Sequence, residues 1–379
     1  MAMGRELEAG RIDVSHFRRK LMRWYRENAR VLPWRGVDDP YRVWISEIML
    51  QQTRVQAVIE HYKLFLKRFP TIKKLAAAPE QDVLAAWSGL GYYRRARMMH
   101  AAAKAVAKEH GGVLPQTAAE LRALPGIGEY TSAAIASIAF GESAAVVDGN
   151  VERVLLRVTG RPEDRSAAGK RFIAQQAAAL VPKSRDQGKA KAKADSGVHH
   201  PTDQRSAGTP IRRNDKQREN APGEHNQAMM ELGATVCLPR GPVCGECPVF
   251  GLCKTRGEHR TAPRAKAFKR EIAYLFAQRP RKSVREVLLV QRAADASLMA
   301  NMWELPLLSP EVVAPYVPVL TAKHSITDTN YDVSIYKERE LEREVSGSER
   351  IRWIPAEILA TVALTGLTRK ILRKMDVMA

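Results

Sequence analysis

The sequence lacks the features of a membrane or secreted protein. No apolar run approaches the roughly 18 residues that a membrane-spanning helix needs. The opening stretch, MAMGRELEAG, has no apolar core behind its charges, so we expect no signal peptide and a cytoplasmic protein. Cysteine is scarce, at four residues in 379, and in a reducing compartment these thiols favour a metal site over disulfides.

Acidic residues are also in deficit. The chain has 41 Asp and Glu against 61 Lys and Arg, which gives a formal net charge of +20. Such an excess favours a polyanionic partner, although a generally basic protein without one is the alternative. Hydrophobic residues make up 45% and charged residues 27%, so we expect a globular chain, long enough for two domains.

Helical periodicity dominates the first part of the chain. Apolar residues recur at helical spacing in residues 14–26, 40–50, 53–68 and 131–140. Two capping boxes are predicted, at Thr53 with Gln56 and at Thr117 with Glu120, and Gly141 is a predicted stop signal. We found no internal repeat.

The composition changes twice further along. Residues 183–222 are basic and poor in large apolar groups, which predicts a flexible insertion that either adds DNA attraction or is merely tolerated. After residue 271 the short runs IAYLFAQ, EVLLVQR and YDVSIY predict strands. We therefore expect a helical region at 1–262, a linker at 263–271 and a mixed α/β domain at 272–379.

The four cysteines lie within 17 residues, with the spacing C-x6-C-x2-C-x5-C. Four thiolates from one short segment suit a [4Fe–4S] cluster. Zinc is the alternative metal, but structural zinc sites usually pair two C-x2-C knuckles and this segment has one. The predicted ligands are Cys237, Cys244, Cys247 and Cys253.

The string Leu124-Pro125-Gly126-Ile127-Gly128 lies between two helical stretches. Gly126 and Gly128 permit a tight turn, and the helix that follows would point its first amides outward. Such amides bind a phosphate without reading the base sequence. An ordinary turn between helices is the alternative.

Asp148, in VVDGNVERV, sits where a helix should begin and is a predicted N-cap. The helix dipole would favour its ionised form. The alternative is an aspartate that only caps the helix, which is common.

Together these features resemble the helix-hairpin-helix DNA glycosylases, and within them the adenine DNA glycosylase (MutY) family more than endonuclease III. Five strings carry the resemblance: LPWR, SEIMLQQTRV, GLGYYRRAR, LPGIGEYTSAAI and NQAMMELGA. It covers residues 12–258 strongly and 272–379 weakly. The implied fold is a mainly α catalytic region of two helical subdomains with an Fe–S loop, followed by a small α+β Nudix-like domain.

The resemblance also implies the type of reaction. Relatives that cut the strand have a lysine two residues after the second hairpin glycine, where this chain has Tyr130. Without that amine no Schiff base can form there. We expect hydrolysis of the base–sugar bond that leaves an abasic site.

Two carboxyl groups would share the chemistry. The apolar neighbours of Glu47 should raise its pKa, and the resemblance makes Glu47 the acid that protonates adenine. Asp148 would stabilise the positive sugar, and Asn150 and Tyr130 would orient Asp148 or the attacking water. The local sequence alone favours an exposed helix carboxylate at Glu47, and the full motif reverses that preference.

The resemblance assigns further residues to DNA. The expected base pocket comprises Arg30, Leu32, Trp34, Arg35 and Gln227. Gln52 and Tyr92 would probe the base stack, although Trp34 and Tyr92 could instead be core aromatics. The other expected DNA contacts are Gln51, Thr53, Arg54, Arg94, Arg95, Arg97, Gly126 and Gly128.

The C-terminal part departs from the pattern that it resembles. The strings EVLLVQR and ANMWELP resemble the start of the domain that recognises 8-oxoguanine, but no Nudix catalytic box follows. His324 and Thr327 are the candidates for recognising the opposite base. The usual Phe-Ser-His motif is replaced by Ile326-Thr327-Asp328, which removes the aromatic wedge.

The expected partner is double-stranded DNA with an adenine mispair, bound by a monomer. Two alternatives stay open: a glycosylase of another base specificity, and a cluster-bearing DNA sensor without catalysis.

Overall fold

The computed structural model describes residues 12–37, 39–183, 221–259, 267–281, 284–326, 328–345 and 350–378. The chain divides into two compact units, Met1–Gln51 with Lys108–Ala262 and Gln52–Ala107 with Pro263–Ala379. The sequence predicted domains that follow one another along the chain. In the structure, the helices within 52–107 instead belong to the same unit as the C-terminal segment. The predicted insertion at 183–222 lies outside the described residues except at its two ends.

Helices predominate in the first part of the chain. They are α1 (Val14–Asn28), α2 (Pro40–Leu50), α3 (Val55–Arg68), α4 (Ile72–Ala77), α5 (Glu80–Trp87), α6 (Arg94–Glu109), α7 (Ala118–Arg122), α8 (Glu129–Phe140), α9 (Gly149–Thr159), α10 (Ala167–Leu180) and α11 (Ala221–Thr235). No helix among the described residues is both long and apolar enough to cross a membrane.

Local signals set several helix ends. The predicted capping box at Thr117 and Glu120 is confirmed at the start of α7. Gly141 ends α8 with a φ of 72°, a left-handed conformation that glycine adopts without strain. The predicted box at Thr53 is wrong, because α3 is capped at Arg54 and no cap hydrogen bond forms there. The Thr53 hydroxyl instead donates to the carbonyl of Leu90 at 3.4 Å.

The core of the first unit lies where α1, α9, α10 and α11 pack together. Its apolar centre includes Phe17, Leu21, Leu155 and Leu232, each fully buried. Helix α2 is buried on almost every side, with eight buried residues from Tyr41 to Met49. A helix enclosed in this way places any polar side chain on it in an environment of low polarity.

In the second unit, the strands of the C-terminal segment form two sheets. The strands are β1 (Phe268–Leu275), β2 (Gln278–Arg281), β3 (Val284–Gln291), β4 (Trp303–Glu304), β5 (Leu307–Leu308), β6 (Leu320–Ile326), β7 (Thr329–Tyr336) and β8 (Ile351–Pro355). Three short or medium helices accompany them, α12 (Pro310–Val313), α13 (Glu342–Val345) and α14 (Gly366–Lys374).

One sheet has the order β5-β1-β7-β6, in which β1 and β7 run parallel, and in the other β3 pairs with β2, β4 and β8. Leu367 and Ile371 of α14 belong to one buried cluster with Ile335 of β7 and with Phe276, which directly follows β1. The predicted fold class, a mainly α region followed by a small α+β domain, is confirmed. Strand β1 begins at Phe268, inside the stretch predicted as linker, because its first residues pair with β7.

Candidate active site and cysteine loop

The centre of the candidate site is the carboxyl group of Glu47. This residue lies on the buried helix α2 and is only 5% exposed. Burial, together with the negative charge of Asp148, raises the pKa of Glu47 to about 7, although the Tyr130 hydroxyl and the charge of Arg35 act in the opposite direction. Glu47 is therefore about half protonated near neutral pH, as an acid catalyst needs. The predicted rise in its pKa is confirmed.

Tyr130 is the hydrogen-bond partner of Glu47. Its hydroxyl donates to Oε2 of Glu47 at 2.6 Å and also lies 3.4 Å from the sulfur of Met230. Burial raises the pKa of Tyr130, and the charges of Glu47 and Asp148 add to the rise, so the phenol stays a donor. The sequence predicted that Tyr130 orients Asp148 or water, whereas the structure joins it to Glu47.

Asp148 is the N-cap of α9, as predicted. Its Oδ1 accepts from the amides of Asn150 and Val151 at 2.9 and 2.7 Å. The side-chain amide of Asn150 donates to the second oxygen, Oδ2, at 2.8 Å. Three donors thus fix the carboxylate, and its negative charge contributes to the raised pKa of Glu47.

Asn226 on α11 holds the chain segment that leads to Asp148. Its amide nitrogen donates to Ser137 Oγ and the carbonyl of Ala144, and its oxygen accepts from the amide of Val146. Asn226 is 2% exposed, so these bonds form away from competing water.

Close packing of α9 against α11 depends on Gly233. A Cβ atom at this position would lie 2.5 Å from Cβ of Asn150 and 2.9 Å from its backbone carbon and oxygen. The Gly233 carbonyl also accepts from Arg153 at 2.7 Å. Glycine at 233 therefore permits the approach that places Asn150 beside Asp148.

Replacing Gly233 with alanine should displace α9 and so misplace Asn150. We expect a loss of about 1–3 kcal/mol in the free energy of unfolding. We also expect single-turnover excision to fall by about tenfold or more, since small displacements of catalytic groups are costly. Urea unfolding and rapid-quench assays measure the two effects. Gly366→Ala is the control, because a Cβ there meets nothing within 4 Å. Equal behaviour of the two variants would contradict this role for Gly233.

Three of the expected base-pocket residues meet at α11. Arg30 donates to both oxygens of Glu231, at 2.7 and 2.8 Å, and Arg35 donates to Glu231 and to the carbonyl of Arg30. Gln227 lies one turn before Glu231 and accepts from the hydroxyl of Tyr25 at 2.9 Å. Leu32 and Trp34 are buried. The structure thus joins Arg30 and Arg35 through a shared carboxylate.

Sequence reasoning missed Glu231. It is 1% exposed, and although burial alone would raise its pKa, hydrogen bonds from Arg30 and Arg35 outweigh burial and lower it to about 2. Glu231 is therefore a permanent anion that holds the two arginines. Its position within the string NQAMMELGA was the available signal.

The hairpin has the predicted form. Leu124 and Ile127 are buried, whereas Gly126 and Gly128 are exposed, and Gly126 has a φ of 72°. No described side chain caps the start of α8 at Gly128. The first amides of α8 are thus available to an anion such as a phosphate.

The other expected DNA contacts divide into two groups. Arg54, Arg94, Gln52 and Tyr92 are exposed. Gln51 instead donates to Thr131 at 3.1 Å, in the first unit. Arg97 binds Glu80 and the carbonyl of Ala300, both within the second unit.

Arg95 also points inward. Its Nη2 donates to Thr53 Oγ1 at 3.0 Å and to the carbonyls of Leu90 and Gly91, each at 3.2 Å. Burial lowers its pKa to about 10, which leaves it charged at neutral pH. Arg95 thus connects two turns of the second unit.

The four cysteines lie in one loop after α11, and none of them is joined to another in a disulfide. Burial raises the pKa of Cys247 to about 11, and the negative charges of the other three sulfurs add to the rise. A bound cation, which favours the thiolate form, would lower that pKa. Among the described residues no group of three or more His, Cys, Asp or Glu side chains is arranged to hold a single metal ion.

Arginines surround the first cysteine. Arg157 Nη1 lies 3.3 Å from the sulfur of Cys237 and donates to the carbonyl of Leu238 at 2.7 Å. Arg153 donates to the carbonyl of Cys237 at 2.7 Å. Four thiols in one loop, the first of them beside the buried guanidinium of Arg157, fit an anionic cluster held by thiolates. Sequence reasoning did not identify either arginine.

The structure places His324 on β6, opposite Tyr331 of β7. Burial and the nearby Lys370 lower the pKa of His324, which favours its neutral form. Thr327, the other candidate for recognising the opposite base, lies outside the described residues.

Comparisons with known proteins agree with this geometry. Residues 45–181 match the HhH-GPD superfamily of base excision DNA repair proteins. The chain is similar to a solved thermostable thymine-DNA glycosylase, with 26% identity, a TM-score of 0.50 and coverage of 63% of this chain and 94% of that one. The fold and site thus define a helix-hairpin-helix protein of base excision repair.

Curated relatives narrow the assignment. The human adenine DNA glycosylase is 41% identical over 253 residues, which are 64% of this chain and 40% of that protein. The Arabidopsis thaliana protein of the same name is 34% identical over 340 residues, 78% of this chain and 48% of that protein. The Mycobacterium tuberculosis one is 36% identical over 231 residues, 60% of this chain and 64% of that protein. The chain is thus similar to the adenine DNA glycosylases (the MutY family), and its matches span 40% to 64% of the length of these relatives.

Proposed function

We propose that this protein hydrolyses the bond between adenine and deoxyribose where adenine is mispaired with 8-oxoguanine or guanine, and leaves an abasic site. The supporting observation is the pair of carboxyl groups in the first unit: Glu47 with a pKa of about 7, and Asp148, whose negative charge contributes to that value. One neutral and one charged carboxyl group suit cleavage of a glycosidic bond.

The two acids have different tasks. Glu47 donates a proton to the adenine ring, which makes the base a better leaving group, and Tyr130 holds the carboxyl group in place. Asp148 is fixed by three donors and stabilises the positive charge that develops on the sugar. No lysine stands at position 130, so the product is an abasic site in an uncut strand.

The substrate base must leave the helix to reach Glu47. Arg30, Arg35 and Gln227 line the receiving pocket, with Leu32 and Trp34 as its apolar part. Because Glu231 already occupies much of the hydrogen-bonding capacity of both arginines, they are held in place before the base arrives.

Double-stranded DNA is the partner, bound by a monomer in the cytoplasm at the nucleoid. The exposed glycines of the hairpin and the amides of α8 hold a phosphate, Arg54 and Arg94 contact the backbone, and Gln52 and Tyr92 probe the stack. The Nudix-like domain reads the opposite base through His324 and Thr327. If 6–10 phosphates are neutralised, affinity should fall roughly 10³–10⁵-fold between 50 and 200 mM salt.

Three duplexes test the proposal: adenine opposite 8-oxoguanine, opposite guanine and opposite thymine, each with and without alkali. We expect excision from the first two, strand breaks only after alkali, and no adduct trapped by borohydride. Tight binding without excision would instead support a DNA sensor. Release of a different base, such as thymine, would mean that the enzyme has another base specificity.

The family is compatible with a [4Fe–4S] cluster. In this chain such a cluster would be held by Cys237, Cys244, Cys247 and Cys253. Its role would be structural, fixing a loop that presents Arg240, Lys254 and Arg256 to the DNA backbone.

We expect the purified protein to contain about four iron atoms per chain and to absorb light at about 400 nm. Cys247→Ser should remove the absorption and lower the midpoint of thermal unfolding, because a ligand of the cluster is lost. Elemental analysis and circular dichroism measure these effects. One equivalent of zinc and no iron would contradict the assignment.

A further inference from the structure

Tyr92 has an exposed aromatic ring and a backbone conformation that is unfavourable for tyrosine. Tyr92 has a φ of 49°, and Gly89 and Gly91 just before it have φ values of 106° and 69°. Tyrosine rarely adopts such a conformation unless its surroundings enforce it. Tyr92 is 49% exposed, so its own side chain supplies little of that constraint.

Contacts from within the helices hold one side of this turn. The indole nitrogen of Trp87 donates to the carbonyl of Gly91 at 3.1 Å. Arg95 donates to the carbonyls of Leu90 and Gly91 and carries its guanidinium 5.5 Å from the centre of the Tyr92 ring. These contacts fix the turn at residues 90–92.

The C-terminal segment holds the other side. The hydroxyls of Ser88 and Tyr93 both donate to one carbonyl, that of Leu364, at 3.1 and 3.2 Å. Arg369 of α14 donates through Nε to Ser88 Oγ at 3.0 Å. All the groups that meet at Leu364 are buried, and the two hydroxyls lie on either side of the turn along the chain. We call this set of contacts the Leu364 junction.

The acceptor of the junction is itself rigid. Leu364 is fully buried and pairs with Trp303 in a β-bridge. The amide of the next residue, Thr365, donates to the carbonyl of Trp303 at 2.9 Å, and its side chain caps α14. The carbonyl of Leu364 and the side chain of Arg369 thus belong to one fixed piece of the C-terminal domain.

The geometry points to a second task for the C-terminal domain: through the Leu364 junction it positions the turn that carries Tyr92, so Tyr93, Ser88 and Arg369 are positioning residues for extrusion of the base. The inference rests on the proposed function for its effect on excision. It does not rest on that function for the conformation of the turn. Contact of the C-terminal domain with the opposite base is a separate task.

Tyr93→Phe is the main test, since it removes one hydroxyl and keeps the buried ring. We expect amide hydrogen exchange in residues 88–95 of the full-length protein to become about fivefold faster without DNA, the effect of one ordinary buried hydrogen bond. Arg369→Met, on the other side of the junction, should do the same. The control is Tyr316→Phe, a tyrosine that packs against a different core cluster of the C-terminal domain.

A double-mutant cycle connects the junction to Tyr92. Tyr93→Phe should slow single-turnover excision about fivefold and leave the affinity for undamaged duplex unchanged. In a Tyr92→Ala background the same change should have no further effect, because it acts through Tyr92. If Tyr93→Phe slows excision by the same factor with and without Tyr92→Ala, the inference is overturned. It is also overturned if amide exchange in residues 88–95 of Tyr93→Phe equals that of the control. If the wild-type protein excises no adenine, the proposed function fails, and the exchange measurement still decides on the junction.

Discussion

Replacing Glu47 with glutamine is expected to slow adenine excision by about 10²–10⁴-fold, the usual contribution of a general acid. Glutamine has nearly the same shape and can still accept the hydrogen bond from Tyr130, which joins the two residues at 2.6 Å. It has no acidic proton to give to the base. Binding of mispaired DNA should therefore change little, and single-turnover kinetics separate the two effects.

A matched control is Glu60→Gln, at an exposed glutamate that pairs with Lys63 on the surface of α3. We expect this variant to behave like the wild-type protein. Normal excision by Glu47→Gln would show that the mechanism proposed here is wrong.

The wild-type rate should also depend on pH in a defined direction. Only protonated Glu47 donates, and its pKa is raised to about 7 mainly by burial. The value of kcat/KM, which reports on the free enzyme, should be highest below pH 7 and decline as the pH rises through that value. In Glu47→Gln this decline should disappear. A wild-type profile that is flat between about pH 6 and 8 would contradict the assignment.

The second large effect is expected from Asp148→Asn. Loss of the negative charge should slow excision by about 10²–10³-fold, because the positive charge on the sugar is no longer stabilised. Asparagine is as good an N-cap as aspartate, so α9 should still begin at Gly149. Its amide nitrogen cannot accept from the side chain of Asn150 as Oδ2 does, so we expect a loss of about 1 kcal/mol in the free energy of unfolding. Excision kinetics together with urea unfolding test both expectations.

The chain offers a close control in Asp39. This residue is the N-cap of α2 and accepts from the amides of Tyr41 and Arg42, as Asp148 does from the amides that follow it. Asp39→Asn removes a charge from a cap without a proposed catalytic role. If both variants lose excision equally, capping rather than charge explains the loss at Asp148.

Interactions between neighbours in the chain were the most predictable. The Asp148 cap, the Thr117 capping box and the left-handed stop at Gly141 each depend on a few adjacent residues. The apolar string around Glu47 likewise predicted a raised pKa, because the helix that it forms is buried. The box at Thr53 failed since its hydroxyl faces a more distant partner, Leu90.

Partners far apart in sequence were not predictable. Glu231 meets Arg30 across 201 residues, and the Tyr130 hydroxyl meets Glu47 across 83. Arg95 resembled a phosphate contact in the sequence, but the approach of two turns gave its guanidinium three acceptors inside the protein. The pairing of residues 52–107 with the C-terminal segment was likewise invisible in the order of the chain.

The sequence by itself determined which groups are available: the two carboxyl groups, the hairpin glycines, a tyrosine in place of lysine, and four closely spaced thiols. It did so because periodicity, caps and spacing act over a few residues. Only the tertiary structure decided which of these groups meet, which arginines are held by an internal anion, and how the turn before Tyr93 is fixed. Those outcomes depend on how helices pack over long distances in the chain, and no local pattern encodes that packing.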